Sequence, residues 1–170
     1  RVLSMSQTPK STLPAFSFQD LLDGTGGEVL CKKREHFYGV GTDTREKNEN
    51  RVFFALQGEN YDAHQFIEQA VNSGAAAVII HRKPDNLKKP LEELGVTVIQ
   101  VEHTLKALQT FSRYWRRKVG TKIVGITGSN GKTTTKEFTA TILSTKYKTH
   151  YSKGSFNNHF GLPLSLLQIL

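Results

Sequence analysis

From Phe16 onward, short apolar runs alternate with segments whose apolar residues recur every three or four positions. Residues 1–15 lack this patterning and are rich in Ser, Thr, Pro and Lys, so they read as a flexible tail. Ser17 to Asp23 predicts a short helix, closed by the turn-prone Gly24-Thr25-Gly26-Gly27. Phe37 to Gly41 and Arg51 to Leu56 are apolar runs rich in β-formers and predict strands. Asp62 is placed to cap a helix from Ala63 to Ser73, with Phe66, Ile67, Ala70 and Val71 on one face and Gly74 at its carboxyl end. Ala75 to Ile80 and Val96 to Val101 predict strands, joined by a charged, Pro-containing connection with one helical turn. A longer helix over His103 to Lys118 places Leu105, Leu108, Phe111 and Trp115 on one stripe.

This alternation predicts an α/β fold with a largely parallel sheet, a small domain over residues 16–118. Gly120 marks a hinge. Beyond it, Lys122 to Thr127 predicts a strand, followed by a Gly-rich loop, a helix to about Thr145, and a strand at Lys148 to Tyr151. Residues 119–170 therefore hold one βαβ unit, whereas a sheet of this type needs several more strands to cover its faces. The reading is a truncated second domain. The start at Arg1 and the stop inside the apolar Leu162–Leu170 segment point the same way.

Composition changes this picture little. The 170 residues are 37% hydrophobic and 22% charged, enough for a packed core. A net charge of +8 invites a nucleic-acid reading, but no aromatic or RNP-like pattern accompanies the basic residues. The tightest run, Arg116-Arg117-Lys118, ends a helix, where cations suit the negative end of the dipole. Nucleotides and sugar nucleotides fit the same positive excess, and no nucleic-acid partner is expected. The single cysteine, Cys31, excludes an internal disulfide and reads as a bland packed or surface residue. No apolar run reaches transmembrane length, so a cytoplasmic protein without membrane insertion is expected. The histidines show no paired metal-ligand spacing, and no zinc site is expected.

The sharpest chemical signal is Gly128-Ser129-Asn130-Gly131-Lys132-Thr133-Thr134. A strand ending in a Gly-rich turn that opens a helix aims several backbone N–H groups, and the positive end of the helix dipole, at one point. In such a loop Lys132 reaches the β- and γ-phosphates of ATP and the Thr133 hydroxyl sits on Mg²⁺. One departure stands out: the general phosphate-loop pattern wants Gly where this chain has Ile126. Glu137 is the only acidic residue from Val119 to Leu170, so the usual second carboxylate near Mg²⁺ is not evident, and this stretch by itself is not expected to turn over.

The run from Gly125 to Thr135 resembles the phosphate loop of the Mur ligase superfamily, whose Thr-Gly-(Ser/Thr)-Asn-Gly-Lys-Thr pattern explains the missing glycine. Thr42-Asp43-Thr44-Arg45, followed by Val52 to Gly58, resembles that family's uridine-nucleotide segment, with Thr44 in place of the usual serine. Asp62 to Ile67 with Gly74-Ala75-Ala76-Ala77 also matches. Gly154-Ser155-Phe156-Asn157-Asn158 and Gly161-Leu162-Pro163-Leu164 resemble the branch that joins D-alanyl-D-alanine to UDP-N-acetylmuramoyl-tripeptide. The resemblance implies an ATP-dependent ligase of peptidoglycan precursor synthesis, working through an acyl phosphate. It implies a first domain that holds the UDP end of the muropeptide and a second that binds ATP. It also implies substrate contacts at Thr44, Arg45, Asn157 and Asn158, and at His64 as a uridine-pocket residue.

Guanidinium suits diphosphate oxygens, which supports Arg45, although an ion pair with Glu46 or Glu49 would explain it equally well without the resemblance. Turn chemistry is the ordinary explanation for Asn157 and Asn158 in a Gly-flanked loop. A helix-start histidine such as His64 is more often structural. A monomer is the expected state. The rival readings are another Mur-type ligase or a folylpolyglutamate synthetase relative, and, from another class, a P-loop kinase or regulatory ATP-binding module.

Overall fold

The computed structural model describes residues 12–59, 61–85, 87–152, 154 and 158–170. Its centre is a five-stranded mixed sheet in the order β2 (Glu28–Cys31), β7 (Thr97–Gln100), β6 (Ala77–Ile80), β5 (Val52–Phe54), β4 (Val40–Gly41). The last four run parallel, and β2 pairs antiparallel with β7 at the edge. β1 (Ala15–Ser17) and β3 (His36–Tyr38) form a separate antiparallel pair. The helices are α1 (Phe18–Thr25), α2 (Ile67–Asn72), α3 (Thr104–Val119), α4 (Lys132–Ser144) and α5 (Gly161–Leu166).

Period-two alternation builds two cores, one on each sheet face. Val52, Phe54, Ala77, Ile79 and Ile99 pack with α1 and α3, through Leu21, Leu108, Phe111 and Trp115. Phe53, Val78, Ile80 and Val98 pack instead with Ala63, Ile67 and Ala70 of the α2 segment. The central strands are therefore buried on both faces, which is why they read in sequence as unbroken apolar runs. Phe16 anchors the first core, edge-on to both Phe111 and Trp115 at centroid distances of 5.0 and 4.6 Å.

α1 starts one residue later than the sequence reading, under a capping box between Ser17 and Asp20. Asp62 caps the expected helix as predicted, but its first turn, Ala63–Phe66, is a 3-10 helix that continues as α2. The Phe37–Gly41 run is two strands and not one. Gly39, at φ 77°, turns the chain between them, so β3 pairs with β1 while β4 joins the main sheet. β1 and β2 went unread because they are short and half-exposed, without a strong apolar alternation. Buried Thr97 holds the β2–β3 connection, its hydroxyl oxygen accepting from Lys33 N at 3.1 Å and Arg34 N at 3.0 Å.

Beyond Gly120, which caps α3 in the left-handed conformation, the expected strands at Lys122–Thr127 and Lys148–Tyr151 do not form. A strand needs a neighbour for its backbone groups, and no described segment pairs with either one. Ile123 and Val124 are exposed, and so are Phe138 and Ile142 on α4. α5 behaves differently. It packs on α3, Leu167 enters the first core, and the indole N–H of Trp115 donates to Ile169 O at 2.9 Å. The apolar carboxyl-terminal segment thus packs into the first core.

Candidate functional site

Two constellations carry chemistry. The first gathers where the parallel strands end, the place at which open α/β sheets bind ligands. After β4 the chain passes through Asp43-Thr44-Arg45. Here Asp43 Oδ1 accepts from Arg45 N at 2.9 Å, and its carboxylate takes the guanidinium at 2.6 to 3.0 Å. Arg45 is 86% exposed and its partner is Asp43, not the Glu46 or Glu49 suggested by sequence. Glu46 pairs with Arg51. Hydrogen bonding from Arg45 holds the Asp43 carboxyl at about 2. Thr44 is buried at the base of this turn.

After β5 the chain reaches Tyr61, stacked on Phe66 at 5.5 Å, and then Asp62. Asp62 accepts from His64 N at 3.0 Å, contacts His64 Nδ1 at 2.7 Å, and takes Arg82 at 2.5 Å. Burial alone would raise the Asp62 carboxyl. The bonds from the His64 backbone, Arg82 and the His64 ring outweigh it and bring it to about 2. His64 is fully buried, and burial pushes its pKa below the ordinary value. Its Nε2 accepts the backbone N–H of His81 at 3.2 Å, so both ring nitrogens are engaged within the protein. Through His64, then, the ends of β5 and β6 are tied together.

The second constellation is the glycine loop. Gly128 at φ 151° and Gly131 at φ 76° hold backbone angles that side chains disfavour, and α4 begins directly at Lys132. No side chain caps α4, which leaves its amino-terminal N–H groups for a ligand. The Lys132 ammonium folds back over the loop onto Gly128 O, with Ser129 O at 3.4 Å. Ser129, Asn130, Thr133 and Thr134 are exposed around it. One turn further, Lys136 donates to Ser152 O at 2.5 Å and Gly154 O at 2.9 Å, and pairs with Glu137 at 3.1 Å. The lone acid of this stretch is thus taken up by a lysine.

Asn158 Oδ1 accepts from Phe160 N at 3.2 Å and Gly161 N at 2.7 Å, which starts α5. Asn157 lies outside the described residues.

Family models match most of this layout. The Mur ligase family, catalytic domain, matches residues 36–116, and the Mur ligase middle domain matches residues 126–170. The chain belongs to the Mur ligase family. It is 45% identical over 130 residues to UDP-N-acetylmuramoyl-tripeptide–D-alanyl-D-alanine ligase of Bacillus subtilis, covering 76% of this chain and 27% of that protein. Among solved structures it is similar to MurF from Acinetobacter baumannii, at 31% identity and TM-score 0.82, over 94% of this chain and 34% of that one. MurF ligase from Thermotoga maritima in complex with ADP matches at 35% identity and TM-score 0.60, over 76% of this chain and 28% of that one. The chain spans about a quarter of the length of the curated relatives, 27% for the Bacillus protein.

The sequence singles out Thr44, Arg45 and the glycine loop as candidates but gives no sign of the Asp62–Arg82 pair or of the buried Asn48 amide. Asp62 was visible only as a helix cap. The 20 residues that separate it from Arg82 hide the pairing, which depends on β5 and β6 ending side by side. Among the described residues no three His, Cys, Asp or Glu side chains converge as a metal site, and no helix is long and apolar enough to cross a membrane.

Proposed function

We propose that this chain supplies the substrate-holding domain and the phosphate-gripping start of an ATP-dependent ligase that joins D-alanyl-D-alanine to UDP-N-acetylmuramoyl-tripeptide. The observation that carries the reading is the pairing, in one chain, of the Lys132 phosphate loop with a sheet-end cluster that presents an exposed arginine. Residues 16–118 hold the UDP-muropeptide, and residues 119–170 begin the ATP-binding domain. The relatives named for this reaction support the substrate assignment.

In the proposed chemistry the tripeptide's terminal carboxylate attacks the γ-phosphorus of ATP and ADP leaves. The dipeptide amine then attacks the acyl phosphate, phosphate departs, and the amine gives up a proton. Residues Gly128 to Thr134 hold the phosphates by backbone N–H groups, and Lys132 exchanges its carbonyl partners for phosphate oxygens. Thr133 offers an exposed hydroxyl to Mg²⁺, which would neutralise charge on the phosphates. The fit is partial: Glu137, paired with Lys136, is poorly placed to add a carboxylate ligand. Arg45 gives up Asp43 for the diphosphate of the UDP substrate, next to Thr44. Asn158, whose oxygen starts α5, is assigned to substrate or ATP through its amide group, and Asn157 is assigned beside it. His64 acts by shaping the uridine pocket, since its ring nitrogens are spoken for. The working state is a cytoplasmic monomer.

Calorimetric titration with UDP-N-acetylmuramoyl-tripeptide, and separately with Mg-ATP, tests the reading. Saturable binding of the UDP ligand is expected. A folded sample that fails to bind it refutes the assignment of the first domain.

A further inference from the structure

Asn48 is fully buried, yet it sits in the polar turn that follows the Asp43–Arg45 segment. Its Nδ2 donates to Asp43 O at 3.0 Å, Glu46 O at 3.0 Å and Ser73 Oγ at 3.1 Å. The Ser73 hydroxyl gives its own hydrogen to Ala70 O, so all three partners are acceptors and the amide has a single workable orientation. In that orientation Oδ1 faces Gly41 and is the one buried side-chain polar atom without a hydrogen bond among the described residues. A Cβ at Gly41 would collide with it.

By reaching Asp43 O, Glu46 O and Ser73 Oγ at once, the buried amide holds the turn in one geometry. The two peptide carbonyls gripped by Asn48 bracket Thr44 and Arg45. The backbone N–H of Asn48 donates to Ser73 O at 3.1 Å, and that of Asn50 to Gly74 O at 2.8 Å, so the turn is also fastened to the carboxyl end of α2. Side chains that reach into solvent, as Arg45 does, bind well only if their backbone is fixed beforehand.

We propose that Asn48 is the positioning residue of the Asp43–Arg45 turn, setting where the Arg45 guanidinium meets the diphosphate of a uridine nucleotide. Gly41 is the vacancy that admits it. The inference rests on the assignment of Arg45 to diphosphate under the proposed function, and a double-mutant cycle separates the two.

UDP binding is measured by calorimetry on the wild type, Asn48→Ser, Arg45→Met and the double variant. Asn48→Ser is expected to weaken UDP about tenfold, and the double variant to bind no more weakly than Arg45→Met alone. Losses that multiply in the double variant overturn the role of Asn48, since a merely structural defect acts independently of Arg45. Wild-type affinity retained in Arg45→Met overturns the Arg45 assignment, and the proposal falls with it. Gly41→Ala, which displaces the amide without removing it, must show the same non-additivity with Arg45→Met. It provides the measurement if Asn48→Ser fails to fold.

Discussion

One oxygen of Asp62 lies 3.0 Å from the backbone nitrogen of His64 and 2.7 Å from Nδ1 of the same residue's ring. The carboxylate thus starts a helix and orients an imidazole at once. Since Asp62 accepts and the His81 backbone N–H donates to Nε2, the ring is neutral with its proton on Nδ1.

This tautomer is directly checkable. Nitrogen NMR of the His64 ring is expected to show a protonated Nδ1 and a bare Nε2 at about pH 7.5, because burial holds its pKa below the ordinary 6.5. The unfolded chain takes up the proton first, so this residue's contribution to stability is complete above the ordinary value and is lost as pH falls below it. A protonated Nε2 at that pH would contradict the arrangement. His64→Phe keeps the ring volume but strands the His81 N–H, and should cost about 1–3 kcal/mol in denaturant unfolding.

Asp20 makes a second pH-dependent contribution. It is buried, and burial alone would raise its pKa. Bonds from Lys118, Ser17 and Tyr114 outweigh this and bring it from 3.8 to about 2. A carboxyl lowered on folding stabilises the native state above its unfolded pKa, and that contribution disappears as pH falls through the folded one. Urea titrations from about pH 5 down to about pH 2 should show the wild type losing on the order of 2 kcal/mol more than Asp20→Asn. Parallel pH profiles for the two proteins would rule this out.

Among the described residues, the Lys132 ammonium bonds only to loop carbonyls. Lys132→Ala is therefore expected to leave the melting temperature unchanged while weakening Mg-ATP roughly 10- to 100-fold, the range for a lost charge-assisted bond. Unaltered ATP affinity in calorimetry would contradict the phosphate-loop reading.

Trp115 links α3 to the segment that follows α5 through its indole N–H and Ile169 O. Trp115→Phe preserves most of the packing against Phe16 and deletes that bond, so a loss of about 1 kcal/mol is expected. Hydrogen exchange should quicken selectively at residues 161–169. Uniform acceleration across the domain would argue that the contact is ordinary core packing.

Much of this protein was legible along the chain because its strongest signals are local. The apolar runs at residues 51–56 and 75–80 mark strands buried on both faces, and the α3 stripe marks the helix that covers one of them. The glycine loop could be read because its chemistry depends on backbone freedom within seven consecutive residues. Other features depend on partners far apart in sequence. Lys122–Thr127 has strand composition but lacks a neighbour to pair with among the described residues. Arg82 finds Asp62, and Trp115 finds Ile169, only once strands and helices are stacked. The sequence by itself determined the alternation of elements and the glycine loop. Tertiary structure decided which polar groups are buried together, because hydrogen bonds between distant residues are set by how the layers pack and leave no periodic trace in the chain.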